Sequence, residues 1–304
     1  MSDLVPIPLN TRLGAPALTI ARLDRSLAFY RDVLGFRLLQ QEGDRAELTA
    51  DGATVVLELT GIPDARPKPP RTTGLYHFAI LVPTRIMLAR SLRRLIDARY
   101  PLQGASDHLV SEALYLADPD GNGIEIYADR PRDQWRYQHG KIAMATEPLD
   151  LDDLLAQLSP TRGGAADEML DPATRIGHVH LHVGDLAAAE AFYCGLLGFE
   201  VMQRDYPGAL FVSAGGYHHH IGLNVWAGVG APPPPPNAVG LRYFTIVLPT
   251  DGDLTALIER LRAAGVSPDR EGPGWRLLDP AKNGVRLIAD HGRRTSRPIP
   301  QEPG

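Results

Sequence analysis

The sequence predicts an α+β fold in which four βαβββ modules pair into two curved-sheet barrels. Two internal repeats and the chain length carry that expectation. LAFYRDVLGF at Leu27–Phe36 returns as EAFYCGLLGF at Glu190–Phe199. LYHFAILVPT at Leu75–Thr84 returns without a gap as LRYFTIVLPT at Leu241–Thr250. Such self-similarity is the signature of a duplicated supersecondary unit. The 304 residues are enough for about two domains.

Module 1, residues 14–60, opens on the strand-like run ALTIARL (Ala17–Leu23), passes through the LAFYRDVLGF helix and ends in VVLEL (Val55–Leu59). Module 2, residues 74–130, has the strand LYHFAIL, a helical pattern at Ala89–Ala98 and the closing segment DPDGNGIEIYAD (Asp118–Asp129). A polar connector, 131–175, contains one short helical pattern, Leu149–Leu158. Module 3, residues 176–227, runs from HVHLHVGDL (His178–Leu186) through the second AFY helix to HIGLNVW (His220–Trp226). Gly228–Pro236 ends in five prolines and reads as a stiff extended spacer. Module 4, residues 240–290, has a helical pattern at Leu254–Gly265 and closes on DPAKNGVRLIAD (Asp279–Asp290), the counterpart of Asp118–Asp129. The tail from Gly292 is expected to be poorly ordered or draped on the surface. A lone βαβββ unit cannot cover its own sheet face, so modules should close in pairs.

Composition removes several function classes. One cysteine excludes an intramolecular disulfide framework and a thiolate-only zinc site, and it fits a reducing compartment. A net charge of −5 gives no basic surface for nucleic acid or an anionic membrane. No apolar run approaches 18 residues and no leader is evident, so a cytoplasmic protein is expected. Ten histidines mean that any metal would be held by imidazole and carboxylate.

His178, His180 and His182 alternate, which on a strand turns all three to one face. Three imidazoles are not buried cheaply without partners, and a metal or a water-lined cavity would supply them. His178 is expected at the first inward position after a turn at Gly177. Comparing the repeats sharpens the choice. His178 falls opposite Ala15, His77 opposite Tyr243, Glu125 opposite Arg286 and Tyr115 opposite Arg276. Modules 2 and 3 therefore keep a polar site where modules 1 and 4 have filled theirs. Two histidines and a carboxylate form the triad that leaves open positions on non-haem Fe(II). Singly, His77 also reads as a core histidine and Glu125 as an edge-strand charge.

The four modules, the GHVHLHV strand, the AFY…LGF helix and the segment SEALYLADPDGNGIEIY resemble the vicinal oxygen chelate superfamily. More narrowly they resemble type I extradiol dioxygenases of the catechol 2,3-dioxygenase kind. That resemblance implies a metal held by His77, Glu125 and His178, Fe(II) with Mn(II) as the alternative. It implies a second-sphere acid/base at His219, with His220 the rival. Strand alternation would point His218 and His220 one way and His219 the other. Tyr115, ten residues before Glu125, would hydrogen-bond a substrate oxygen, and His108 would be the further histidine of that module. The best-known two-domain relatives draw the site from their third and fourth modules, but here the fourth lacks ligands. Modules 2 and 3 are therefore expected to form the active barrel, and modules 1 and 4 the inactive one.

The implied reaction is cleavage of a catechol beside its hydroxyls by O2, giving a muconic semialdehyde-type product. Trp226 and Phe211 read either as ring-packing residues or as plain core. The alternatives are a metal-dependent glyoxalase or fosfomycin-resistance-like lyase or transferase, and a non-catalytic sequestering protein. Four modules, Tyr115 and His219 favour the dioxygenase. Association into a homo-oligomer is an open expectation.

Overall fold

The computed structural model describes residues 5–138, 141–158 and 169–291, and in it every module opens on a mostly buried strand that turns into a helix. Module 1 comprises β1 (Arg12–Ile20), α1 (Leu23–Ala28), β2 (Arg37–Glu42), β3 (Arg45–Thr49) and β4 (Val55–Gly61). Module 2 comprises β5 (Gly74–Leu81), α2 (Arg85–Asp97), β6 (Gly104–Asp107), β7 (Ser111–Ala117) and β8 (Gly123–Asp129). The connector adds β9 (Tyr137–Gln138), β10 (Lys141–Ile142), β11 (Glu147–Pro148) and α3 (Leu151–Ala156). Module 3 follows with β12 (Arg175–His182), α4 (Leu186–Glu190), β13 (Glu200–Gln203), β14 (Ala209–Ser213) and β15 (Ile221–Asn224). Module 4 closes with β16 (Gly240–Leu248), α5 (Asp251–Ala263), β17 (Asp269–Glu271), β18 (Gly274–Leu278) and β19 (Gly284–Ala289). The tail from Gly292 lies outside the described residues.

Local chemistry sets the helix starts. Thr84 and Thr250 accept the backbone N–H three residues on, and Asp185 accepts those of Ala187 and Ala188. Each satisfies a donor left free at a helix N-terminus. α2 and α5 therefore begin four and three residues before the apolar patterns that mark them in the sequence. Both AFY segments widen into a π-helical turn, Phe29–Val33 and Ala191–Leu196.

That turn delivers its tyrosine to the next module. Tyr30 Oη donates to Asp118 Oδ2 at 2.9 Å, and Tyr193 Oη donates to Asp279 Oδ2 at 3.0 Å, both buried. The same aspartates accept Asn122 and Asn283 and shape the DPDGN and DPAKN turns. Chain neighbours are thus fastened by a buried tyrosine, while the sheets join other partners. One eight-stranded sheet runs β17-β18-β19-β16-β1-β4-β3-β2, and a nine-stranded sheet runs β11-β6-β7-β8-β5-β12-β15-β14-β13. The first is built from modules 1 and 4, the second from modules 2 and 3 with a connector strand.

The two antiparallel seams correspond, Ala17 facing Tyr243 in one and His180 facing His77 in the other. Each carries a register shift at its start, between Gly14 and Ala17 and between Ile176 and His178. Gly177 is therefore a bulge inside β12, not the turn expected from sequence. A bulge re-aims the next side chain, here His178.

The eight-stranded sheet has filled its inner face. Tyr243 Oη donates to Glu58 Oε2 at 2.6 Å, and Arg286 Nη1 lies 3.3 Å from Glu58 Oε1. Glu58 faces Ala17 across the parallel β1–β4 pair, the place Gly222 takes beside His180 in the other sheet. A Cβ on Gly222 would come within 2.8 Å of the His180 ring. One position thus plugs one sheet with a carboxylate and clears the other for an imidazole. No helix among the described residues is long and apolar enough to cross a membrane.

Candidate metal centre

Register alone assembles the site. Ala79 on β5 pairs with Glu125 on β8 on one side and with His178 on β12 on the other. Tyr115 on β7 pairs with Glu125 and extends the row. Ala79 is fully buried, and its single methyl leaves room for its neighbours to meet above it. His77, two residues along the strand, projects to the same face.

His77 Nε2 lies 3.0 Å from Glu125 Oε2, and His178 Nε2 lies 3.1 Å from that same oxygen. The three donor atoms all fall within 4.8 Å of one another. Their side chains are 8%, 4% and 2% exposed for His77, Glu125 and His178, so bulk water does not satisfy them. Close as Glu125 stands, the buried His77 Nε2 has no hydrogen-bond partner of good geometry. Burial pushes His178 down to about 4. Burial alone would raise Glu125, but the His178 and His77 imidazoles hold it well below the usual carboxylate range. At neutral pH His178 is a neutral imidazole and Glu125 a carboxylate, the protonation states a divalent cation requires of such ligands. An orphaned buried nitrogen and an N,N,O donor set fit a transition metal.

The triad forms the floor of a cavity of about 360 Å³. Tyr115 and His108 stand on one wall, with Tyr115 Oη 2.6 Å from His108 Nε2 and His108 Nδ1 2.7 Å from the Ala145 carbonyl. A carbonyl only accepts, so His108 carries its hydrogen on Nδ1 and Tyr115 donates to Nε2. Burial, aided by the Glu125 charge, pushes the Tyr115 phenol well above its ordinary value. His219 also lines the cavity, its ring centroid 4.1 Å from that of His178. Tyr76, Tyr206, Phe211 and Trp226 form an aromatic rim, and no Lys or Arg is among the described residues lining the cavity.

The HHH run departs from the strand-alternation expectation at His218, whose ring lies 4.7 Å from that of His219 instead of on the opposite face. β15 begins only at Ile221, so His218–His220 lie on irregular backbone and follow no period of two. His219 reaches the cavity, whereas His220 turns away, its Nδ1 2.9 Å from Ser213 Oγ and accepting the Ala214 N–H.

Residues 12–126 and 175–277 match the family model described as the Glyoxalase/Bleomycin resistance protein/Dioxygenase superfamily. This chain belongs to that superfamily. It is 50% identical over 275 residues to a catechol-2,3-dioxygenase of Bacillus subtilis, a match covering 89% of this chain and 94% of the relative. A biphenyl-2,3-diol 1,2-dioxygenase of Rhodococcus globerulus is 32% identical over 44% of this chain and 73% of its own length. A Bacillus subtilis crystal structure shares the fold at a TM-score of 0.63 and 13% identity, covering 95% of this chain and 87% of that one.

Around the candidate metal site, sequence reasoning missed several residues. Asn224 Nδ2 lies 3.0 Å from His180 Nε2, and its Oδ1 accepts His182 Nδ1 at 2.7 Å, so one amide orients two of the three β12 histidines. Asp129 contacts His218 at 2.9 Å. A signal for Asp129 existed: Glu125, Tyr127 and Asp129 alternate on β8 and share a face.

The neutral histidines also make the fold acid-sensitive. Burial pushes His182 down to about 4 and His220 to about 3, against roughly 6.5 in an unfolded chain. On acidification the unfolded chain takes up protons first, so stability is full above about pH 6.5 and falls towards those folded values. The denaturant midpoint should be lower at pH 5 than at pH 7.5. His220→Gln should flatten that dependence by up to about 1.4 kcal/mol per pH unit, and the partly exposed His182 by less. A midpoint indifferent to pH in this window would contradict the assignment.

Proposed function

We propose that this protein is a metal-dependent extradiol dioxygenase that opens a catechol ring beside its two hydroxyls. The observation that carries the reading is the convergence of His77, Glu125 and His178 beneath a cavity walled by His219 and Tyr115. The 50% identity to a catechol-2,3-dioxygenase over most of both chains supports it. We take the metal to be Fe(II), which supplies when bound a Lewis-acidic centre with open positions for both catechol oxygens and O2.

The chain's own residues handle binding and protons. His219 accepts a proton from a catechol hydroxyl and can return it as the ring opens. Tyr115 donates to His108, so its oxygen lone pairs remain for a substrate hydroxyl. The aromatic rim stacks on the ring and excludes water. Both atoms of O2 enter the semialdehyde-type product, so no external reductant is needed. Turnover under ¹⁸O₂ should give a yellow product carrying two labelled atoms. Thiol transfer or hemithioacetal isomerisation without O2 uptake would contradict the reading.

The rim also sets the substituent. With no Lys or Arg among the described residues that line the cavity, a carboxylate on the substrate would lose its hydration with no charged side chain as partner, at a cost of several kcal/mol. Methyl- or phenyl-substituted catechols should show kcat/KM at least about 100-fold above 3,4-dihydroxyphenylacetate. Equal values for the two classes would overturn this preference.

A further inference from the structure

Behind His219 lies a partly buried chain of hydrogen bonds that the reaction scheme above does not use. Asp129 Oδ1 is 2.9 Å from His218 Nε2, and His218 Nδ1 is 2.8 Å from His219 Nδ1. The Asp129 carboxylate also accepts the Tyr217 hydroxyl at 2.9 and 3.1 Å. Tyr217 is committed to that bond, so Tyr127 must donate to it across 2.7 Å. The His218 side chain is fully buried, with the Tyr217 ring 4.0 Å and the Trp135 ring 5.6 Å from its centroid.

Donor and acceptor identities then propagate in one direction. A carboxylate only accepts, so His218 carries its hydrogen on Nε2. With its ring hydrogen spent on Asp129, His218 turns Nδ1 as an acceptor to the facing His219 Nδ1, which can satisfy it only by donating. His219 is left with Nδ1–H towards His218 and an unprotonated Nε2 on its other edge. His219 lines the cavity. We propose that Asp129 and His218 are positioning residues that fix the tautomer and orientation of His219, presenting a bare Nε2 to the substrate hydroxyl. This rests on the catechol reading above for its purpose, although not for its geometry. It is the logic of a carboxylate orienting a catalytic imidazole, lengthened by one ring.

The tautomers are directly measurable by two-bond ¹H–¹⁵N NMR on ¹⁵N-histidine-labelled full-length protein, both metal-free and with Zn(II) as a diamagnetic occupant. The expected result is Nε2–H for His218 and Nδ1–H for His219. Nε2–H on His219, which doubly protonated His218 would impose, overturns the proposal. In the Fe(II) form, His218→Phe should lower kcat for catechol by about 100-fold, with KM within about threefold and metal content unchanged. An unchanged kcat, or a loss confined to KM or metal content, also overturns it. Should His218→Phe fail to fold, the tautomers of the unsubstituted protein decide alone. Absence of ring cleavage alongside the expected tautomers would instead defeat the catechol reading, so the two failures are distinguishable.

Discussion

Glu125→Ala is expected to empty the metal site and lower ring-cleavage turnover by at least about 10³-fold, roughly 4 kcal/mol of transition-state stabilisation. One oxygen, Oε2, serves both His77 and His178, so the substitution removes a donor and the charge that gathers the other two. Glu125→Gln separates these effects. It keeps the shape, but its neutral oxygen is a poorer donor, and its NH2 would face an imidazole nitrogen that needs its lone pair. Both variants should stay folded by circular dichroism, because the core around the site is apolar and the strand register does not depend on the carboxylate. Measured iron per chain should drop to near zero for alanine and well below one for glutamine. Full iron occupancy in Glu125→Ala would show that Glu125 is not a ligand.

Gly177→Ala is expected to be strongly destabilising. A Cβ at Gly177 would overlap the Tyr127 hydroxyl outright and lie 2.7 Å from Cζ. Tyr127 is fully buried and bonded to Tyr217, so it has nowhere to retreat. Overpacking of a rigid core costs about 1–3 kcal/mol, and here the bulge that aims His178 must move as well. Chemical denaturation should show a loss of about 3 kcal/mol, together with weakened metal affinity. Tyr127→Phe in the Gly177→Ala background should recover part of the stability, although alone it should destabilise by leaving Tyr217 without its donor. That non-additivity is the signature of direct contact. Wild-type stability in Gly177→Ala would refute the close packing at this bulge.

Much of this architecture was legible because the chain is its own control. The AFY repeat and the pairing of LYHFAILVPT with LRYFTIVLPT exposed four units. The substitutions Ala15, Tyr243, Arg286 and Arg276 against His178, His77, Glu125 and Tyr115 picked out one polar site from ten histidines. Their correspondence in sequence is also a correspondence in register, since Ala17 faces Tyr243 as His180 faces His77. What stayed hidden depended on backbone that departs from a regular period. The HHH run precedes its strand, so alternation misplaces His218, which lies beside His219. Glu58 in VVLEL looks like any solvent-facing strand residue until Tyr243 and Arg286 close over it. Gly222 reads as a weak strand residue, and only the His180 ring pressed against it explains its lack of a side chain. Asp129 needed the irregular His218 loop to be placed before its purpose could be seen.

The central claim is that one ferrous ion, held by residues from modules 2 and 3, makes this chain a ring-cleaving dioxygenase. Anaerobic titration of Fe(II) into metal-free protein, with each step followed by catechol and air, tests it most directly. Yellow ring-fission product should rise linearly and stop rising at one iron per chain. Bound iron at one equivalent with no ring-fission product from catechol or its alkyl derivatives would contradict it.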